Sequence, residues 1–174
     1  MAQTGLIHLY CGDGKGKTTA AMGLALRAAG HGLPVVIAQF LKDGTSGECN
    51  ILRTLPTVTV LAANPCGKFS FQMNADEQEE TRCCIETLFQ EAVKSAKSPG
   101  LLVLDEVCAA VSCGFLNKDI LLGFLSEKPV DLEVVMTGRA PCDEIRAAAD
   151  YLSEIKKCRH PYDNAVPARE GIEK

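Results

Sequence analysis

The chain alternates short, nearly unbroken apolar runs with longer stretches in which apolar residues recur every three or four positions. Residues 6–11, 33–40, 57–61, 101–106, 132–137 and 151–158 have strand length. Such continuous apolar strands are those of a parallel sheet covered on both faces. Between them, residues 17–29 place Ala20, Ala21, Leu24, Ala25 and Ala28 at helical spacing. Helices are also expected over 48–55, 75–97, 117–126 and 141–149, the last with Pro141 in its first turn. Gly30 and Gly32 end the first helix, and Ser98-Pro99-Gly100 stops the longest. Asn74 is placed to cap that long helix, whose acids crowd its first half while Lys94 and Lys97 close it, the order the helix dipole favours. Residues 62–74 read as irregular. Strand and helix in strict alternation predict one α/β domain over 1–174, with right-handed crossovers and ligands at the carboxyl ends of the strands.

Composition narrows the classes. The 174 residues, 47% of them hydrophobic, suffice for one full core. Eighteen Lys and Arg against 22 Asp and Glu give a net charge of −4 without a basic cluster, so no nucleic-acid partner is expected. The nine cysteines include no C-x-x-C pair and no Cys/His group at zinc spacing. With no leader-like start and no apolar stretch of the ~20 residues a membrane span needs, reduced thiols and a cytoplasmic location are expected. His8, His31 and His160 lie too far apart in sequence for a metal spacing and read as core or surface residues.

The chemistry concentrates where the first strand meets the first helix, in Cys11-Gly12-Asp13-Gly14-Lys15-Gly16-Lys17-Thr18-Thr19. Glycines let successive N–H groups turn toward one anion, and a helix N-terminus adds its dipole. Lys17 adds a full charge, and Thr18 offers a hydroxyl to a divalent metal. The pattern G-x-x-x-x-G-K-[ST] is one glycine short, because Cys11 stands where it begins. A second signal is Asp105-Glu106, two carboxylates at the end of a buried strand, the arrangement that holds Mg²⁺ opposite such a loop. Gln39, Lys42 and Gly138-Arg139 follow other strands on the same edge and are candidates for phosphate or ribose. Phe69 and Phe71 flank Ser70 in the irregular stretch, a pattern suited to covering an apolar ligand. These residues specify a Mg-nucleotide enzyme or switch. A RecA-like ATPase or small-molecule kinase fits them, as does a non-catalytic nucleotide-binding module.

Taken together and in order, several stretches resemble the ATP:corrinoid adenosyltransferases of the phosphate-loop type. They are Gly12 through Ala21, Gln39-Phe40-Leu41-Lys42, Phe69-Ser70-Phe71, Val103-Leu104-Asp105-Glu106, Val135-Met136-Thr137-Gly138-Arg139, and a tail from His160-Pro161-Tyr162 to Ala168-Arg169-Glu170-Gly171-Ile172-Glu173. That family also lacks the leading glycine. The resemblance implies a RecA-like fold and transfer of the 5′-deoxyadenosyl group of ATP to cobalt(I) of a corrinoid, with triphosphate leaving intact. It further implies ATP held in the reverse sense, the loop wrapping the terminal phosphate so that C5′ faces the corrin. Gly14, Lys15, Gly16, Lys17 and Thr19 would then serve the phosphates, with Gly12, Asp13, Gln39, Lys42, Arg139 and Arg169 further residues of the ligand site. Thr18 with Glu106 or Asp105 would hold Mg²⁺, or Mn²⁺ in its place, and Lys17, Thr18 and Glu106 would carry catalysis. Phe69 and Phe71, the latter where the family often has Trp, would form a wedge that displaces the lower axial ligand of cobalt(II). A flavoprotein would supply the electron, and a homodimer is expected. Many members cover the corrin with an N-terminal extension; with about five residues before the first expected strand here, the corrin site is expected to be either more open or covered by another segment.

Overall fold

The computed structural model describes residues 4–68 and 70–172. Phe69, one of the two wedge candidates, lies outside the described residues. Among those described, six strands form one sheet: β1 (Ile7–Cys11), β2 (Val35–Phe40), β3 (Val58–Ala63), β4 (Gly100–Asp105), β5 (Leu132–Thr137) and β6 (Tyr151–Glu154). Their spatial order is β3-β2-β4-β5-β1-β6, and every pairing is parallel. The helices are α1 (Lys17–Gly30), α2 (Gly47–Leu52), α3 (Ala75–Ser95), α4 (Val107–Ser112), α5 (Lys118–Glu127) and α6 (Asp143–Ala147).

Alternation along the strands divides the core in two, because successive side chains point to opposite faces. Val35, Ile37, Leu101, Val103 and Val135 face the Ala21, Met22, Ala25 and Ala28 stripe of α1, with Leu52 of α2 beside them. Val36, Ala38, Phe40, Leu102, Leu104, Val134 and Met136 face the other side. There they pack against Ile85, Leu88 and Phe89 of α3, Leu121 and Leu125 of α5, and Ile145 of α6. Helices thus cover both faces, as an all-parallel sheet requires, and the fold is the expected RecA-like α/β sheet.

Local signals set the boundaries. Asn74 does cap α3: its Oδ1 accepts the Glu77 N–H at 2.9 Å while Glu77 Oε2 accepts the Asn74 N–H at 3.0 Å, a reciprocal capping box. Several boundaries differ from expectation. Strand β6 stops at Glu154, four residues early: the Ile155 N–H still donates to Cys11 O at the end of β1, but its carbonyl accepts from the Gly14 N–H of the glycine loop. Residues 62 and 63 extend β3, and a single 3-10 turn, Ser70–Gln72, interrupts the stretch expected to be irregular. Helix α4, directly after β4, has no counterpart in the sequence-based expectation.

Candidate active site

The site forms at the carboxyl edge of the sheet, where β1, β2, β4 and β5 end side by side. After β1 the chain makes the glycine loop, held from two sides by backbone bonds: the Gly12 N–H donates to Arg139 O at 3.0 Å and the Gly14 N–H to Ile155 O at 2.8 Å. Gly12 has φ +104°, and a Cβ there would lie 2.4 Å from Ile155 O, so no other residue fits. Gly16, at φ +117°, is the left-handed entry to α1. Asp13 turns outward, and its carboxylate accepts the Lys157 N–H at 2.9 Å. That bond holds its pKa below the usual carboxylate value. Lys15 and Thr19 are exposed.

Lys17 is buried, and its Nζ donates to Gly14 O at 2.7 Å, folding the side chain back over the loop. Burial pulls its pKa down from the ordinary lysine value; the nearby Glu106 carboxylate opposes that shift and Arg139 adds to it. Lys17, Glu106 and the exposed Arg139 therefore share one electrostatic neighbourhood.

Asp105, fully buried at the end of β4, is the hub. Its Oδ1 accepts from Thr18 Oγ1 at 2.8 Å and Thr137 Oγ1 at 2.7 Å; its Oδ2 accepts from Gln39 Nε2 at 3.1 Å and Lys42 Nζ at 2.7 Å. A buried carboxylate needs such partners to remain ionised at tolerable cost. Glu106 follows in a left-handed conformation, φ 63°, unusual for a residue with a side chain, and its N–H donates to Thr137 Oγ1 at 2.8 Å. This turn starts α4.

Of the residues proposed from sequence, the structure brings Thr18, Gln39, Lys42 and Asp105 into one bonded network, with Lys17, Glu106 and Arg139 beside it. Gln39 is enclosed: its Oε1 accepts from Cys49 Sγ at 3.1 Å and Ser46 Oγ at 3.3 Å, so both ends of its amide are bonded within the protein. Phe71 is 82% exposed in the 3-10 turn. The thiol of Cys113, just past α4, donates to Ser70 Oγ at 3.5 Å, which ties this turn to the helix that begins at Glu106. Arg169 is exposed in the terminal segment, its carbonyl accepting the Ile172 N–H. Sequence reasoning did not single out Thr137, which links β5 to both acids. Its available signals were a polar residue closing the apolar run Val134-Val135-Met136 and its place in the stretch Val135-Met136-Thr137-Gly138-Arg139 that carries the family resemblance. Cys108, behind the site on α4, has its thiol pushed up to about 12 by burial first and by Glu106 second, which makes it an inert core residue.

Hard oxygen donors, the Thr18 hydroxyl and the Asp105 carboxylate, meet at 2.8 Å, and a cation already stands between them: Lys42 Nζ lies 3.2 Å from Thr18 Oγ1 and 2.7 Å from Asp105 Oδ2. Both the donor chemistry and this stand-in positive charge fit a divalent ion of the Mg²⁺ class.

Comparison with known proteins agrees with this architecture. The profile described as ATP:corrinoid adenosyltransferase BtuR/CobO/CobP matches residues 3–173. The corrinoid adenosyltransferase of Escherichia coli K12 is 33% identical over 175 residues, covering 98% of this chain and 86% of that protein. The Pseudomonas aeruginosa enzyme of the same name is 30% identical over 174 residues, 98% and 84% respectively. Corrinoid adenosyltransferase CobA of Salmonella typhimurium is 33% identical over 175 residues, again 98% and 86%. A match across essentially the whole chain, on a fold that gathers the loop and the strand-end acids at one edge, leaves one conclusion: this chain belongs to the ATP:corrinoid adenosyltransferase family.

Proposed function

We propose that the protein transfers the 5′-deoxyadenosyl group of ATP to cobalt(I) of a corrinoid, in the making or salvage of adenosylcobalamin. The observation that carries the reading at the level of geometry is the contact between Thr18 and Asp105, which joins the glycine loop to the strand-end acids at 2.8 Å. In the reaction the cobalt(I) electron pair forms a bond to C5′. The C5′–O bond breaks, its pair leaves with the intact triphosphate, and cobalt becomes formally cobalt(III). No proton has to move, so a site without a dedicated acid–base pair suffices.

What the chain must do is hold the triphosphate in line with C5′ and neutralise the charge that grows on it. The amides around Gly14 and Gly16, the Lys17 ammonium and the nearby Arg139 are suited to that task. Lys17 would leave the Gly14 carbonyl for a phosphate oxygen. Thr18 with Asp105 or Glu106 would hold Mg²⁺, and Mn²⁺ would serve in its place. When bound, the metal adds Lewis-acid neutralisation of the departing phosphates. Phe71, exposed beside α4, supports the assignment of the 3-10 turn to the corrin side. Nine free cysteines support a reducing, cytoplasmic setting, and no helix among the described residues is long and apolar enough to cross a membrane. A homodimer and a flavoprotein electron donor complete the reading.

The test is anaerobic incubation with Mg-ATP and chemically reduced cobalamin, following the corrinoid spectrum and assaying triphosphate. The expected result is corrinoid alkylation with one triphosphate per turnover, only when reduced corrinoid is present. Release of ADP and phosphate with an unchanged corrinoid spectrum would overturn it in favour of an ATPase or kinase.

A further inference from the structure

Strand β2 ends at Phe40, and the next residue, Leu41, adopts a left-handed conformation at φ 58°. Two non-glycine residues at this sheet edge, Leu41 and Glu106, carry that uncommon geometry, one after β2 and one after β4. The turn at Leu41 leads directly into Lys42, whose side chain lies over the neighbouring strand. Its ammonium sits within hydrogen-bond distance of both Thr18 Oγ1 (3.2 Å) and Asp105 Oδ2 (2.7 Å). The carboxylate of that pair is wholly buried, whereas the lysine side chain keeps a third of its surface exposed. One partner is fixed and the other has room to leave. Among the described residues, no buried side-chain nitrogen or oxygen lacks a hydrogen-bond partner, so with Lys42 in place the network is closed without any ligand.

We propose that Lys42 is a tethered counter-cation that holds the place of the divalent metal in the nucleotide-free protein. It is displaced when metal and triphosphate arrive together, and its ammonium then turns onto the phosphates. This rests on the reading that Thr18 and Asp105 form the metal side of the site. The consequence is thermodynamic coupling. Metal alone must evict the ammonium and leave it uncompensated, while metal with triphosphate provides the evicted charge with a new anion. Free metal therefore binds weakly and the nucleotide complex binds well. A lysine suits the role, because a compact ammonium on a flexible stem moves where a planar, bidentate arginine would lock.

The experiment measures Mn²⁺ binding by electron paramagnetic resonance, with Mn²⁺ alone and with saturating ATP, in the wild-type protein, Lys42→Met, Lys42→Arg, Lys94→Met and Asp105→Asn. Circular dichroism verifies folding, and Lys42→Gln replaces the methionine variant should that one not fold. The expected result is that Lys42→Met binds Mn²⁺ without nucleotide about tenfold more tightly than wild type, equivalent to ~1.4 kcal/mol. The tightening that ATP confers should shrink by a similar factor. Lys42→Arg should remain as weak as wild type without nucleotide, and Lys94→Met, which removes the same charge from the exposed last turn of α3, should change binding by less than about twofold. Unchanged or weaker nucleotide-free Mn²⁺ binding in Lys42→Met overturns the proposal, as does an equal gain in Lys94→Met. The underlying metal assignment fails separately, if wild-type Mn²⁺ binding with ATP survives Asp105→Asn undiminished.

Discussion

Replacing Thr137 with valine keeps the shape of a buried side chain and deletes one hydroxyl from beneath the site. That hydroxyl donates to Asp105 Oδ1 at 2.7 Å and accepts the Glu106 N–H at 2.8 Å. Asp105 keeps Thr18, Gln39 and Lys42 as donors, but the Glu106 amide loses this acceptor at the point where the backbone is left-handed. A buried donor left unpaired costs about 1–3 kcal/mol, and a lost bond to a charged acceptor about 1.5–3 kcal/mol. The remaining donors around Asp105 absorb part of the second loss, which puts the expected destabilisation at about 3 kcal/mol. For a chain of 174 residues this lowers the thermal midpoint by about 6–12 °C. The assay is urea unfolding of nucleotide-free protein followed by circular dichroism, with Thr137→Ser as companion. Serine restores the hydroxyl and loses one methyl, a change of about 1 kcal/mol. The double variant with Asp105→Asn should show a coupling of about 0.5–3 kcal/mol. A valine variant within about 0.5 kcal/mol of wild type at unchanged slope, or a serine variant as unstable as the valine one, refutes the account of the hub.

Gly12→Ala meets both a φ of +104° and the Ile155 carbonyl, and should lose at least about 1–2 kcal/mol in the same unfolding assay. Gly23→Ala, in the open middle of α1, should gain up to about 1 kcal/mol. Burial holds the Lys17 ammonium below its ordinary 10.5, so between the lowered value and 10.5 the unfolded chain binds more protons and folding stability rises with pH. Lys17→Met should flatten that alkaline rise in thermal midpoint and abolish ATP binding by calorimetry; an unchanged rise assigns it elsewhere. Phe71→Ala should slow turnover that begins from cobalt(II) far more than turnover from pre-reduced cobalt(I), and equal losses would remove Phe71 from the wedge. Lys118, 2.5 Å from Glu144, holds that carboxyl at about 2 rather than its ordinary 4.5. Its contribution is present above 4.5 and fades as pH falls toward 2, so Glu144→Gln should lessen acid sensitivity in that window at low salt; a carboxyl midpoint near 4.5 by NMR would contradict it.

The alternation of apolar runs and helical spacing was enough to place all six strands and the parallel α/β class, because continuous apolar strands and a 3.6-residue period are direct consequences of burial on two faces and on one; the RecA-like class came from the family resemblance. Helix α4 escaped because Val107–Ser112 is a short apolar run of only six residues, two residues past the apolar run of β4, with no sequence cap to mark its start. What separates the two elements is the left-handed turn at Glu106, a conformation that a glutamate does not advertise. The early end of β6 is invisible for a related reason: Ile155 is an ordinary strand residue whose carbonyl is taken by the Gly14 N–H of the loop. The glycine loop and the acids of β4 could be read because their residue types are dictated by chemistry at fixed spacing. Thr137 and the Lys42–Asp105 contact could not, since each depends on register between strands distant in sequence: Leu104 pairs with Met136, which sets Asp105 beside Thr137.

That register also explains why the site is built over a strand that carries neither the glycine loop nor the paired acids. Strand β5 lies between β4 and β1, so the acids and the glycine loop stand one strand apart rather than side by side. The intervening strand end must therefore be polar, small and rigid if Asp105 is to reach Thr18 at 2.8 Å. Threonine meets all three demands: its hydroxyl both donates and accepts, and its β-branched stem has little rotational freedom inside a strand. A leaving triphosphate makes this rigidity worth its cost. Groups that would have to move as charge develops on the phosphates give up part of their stabilisation to reorganisation, whereas a carboxylate already held by four donors does not. Of the four donors Lys42 is the one on a long flexible stem, a third of its side chain exposed, and it is the one that the arriving ligand needs to move.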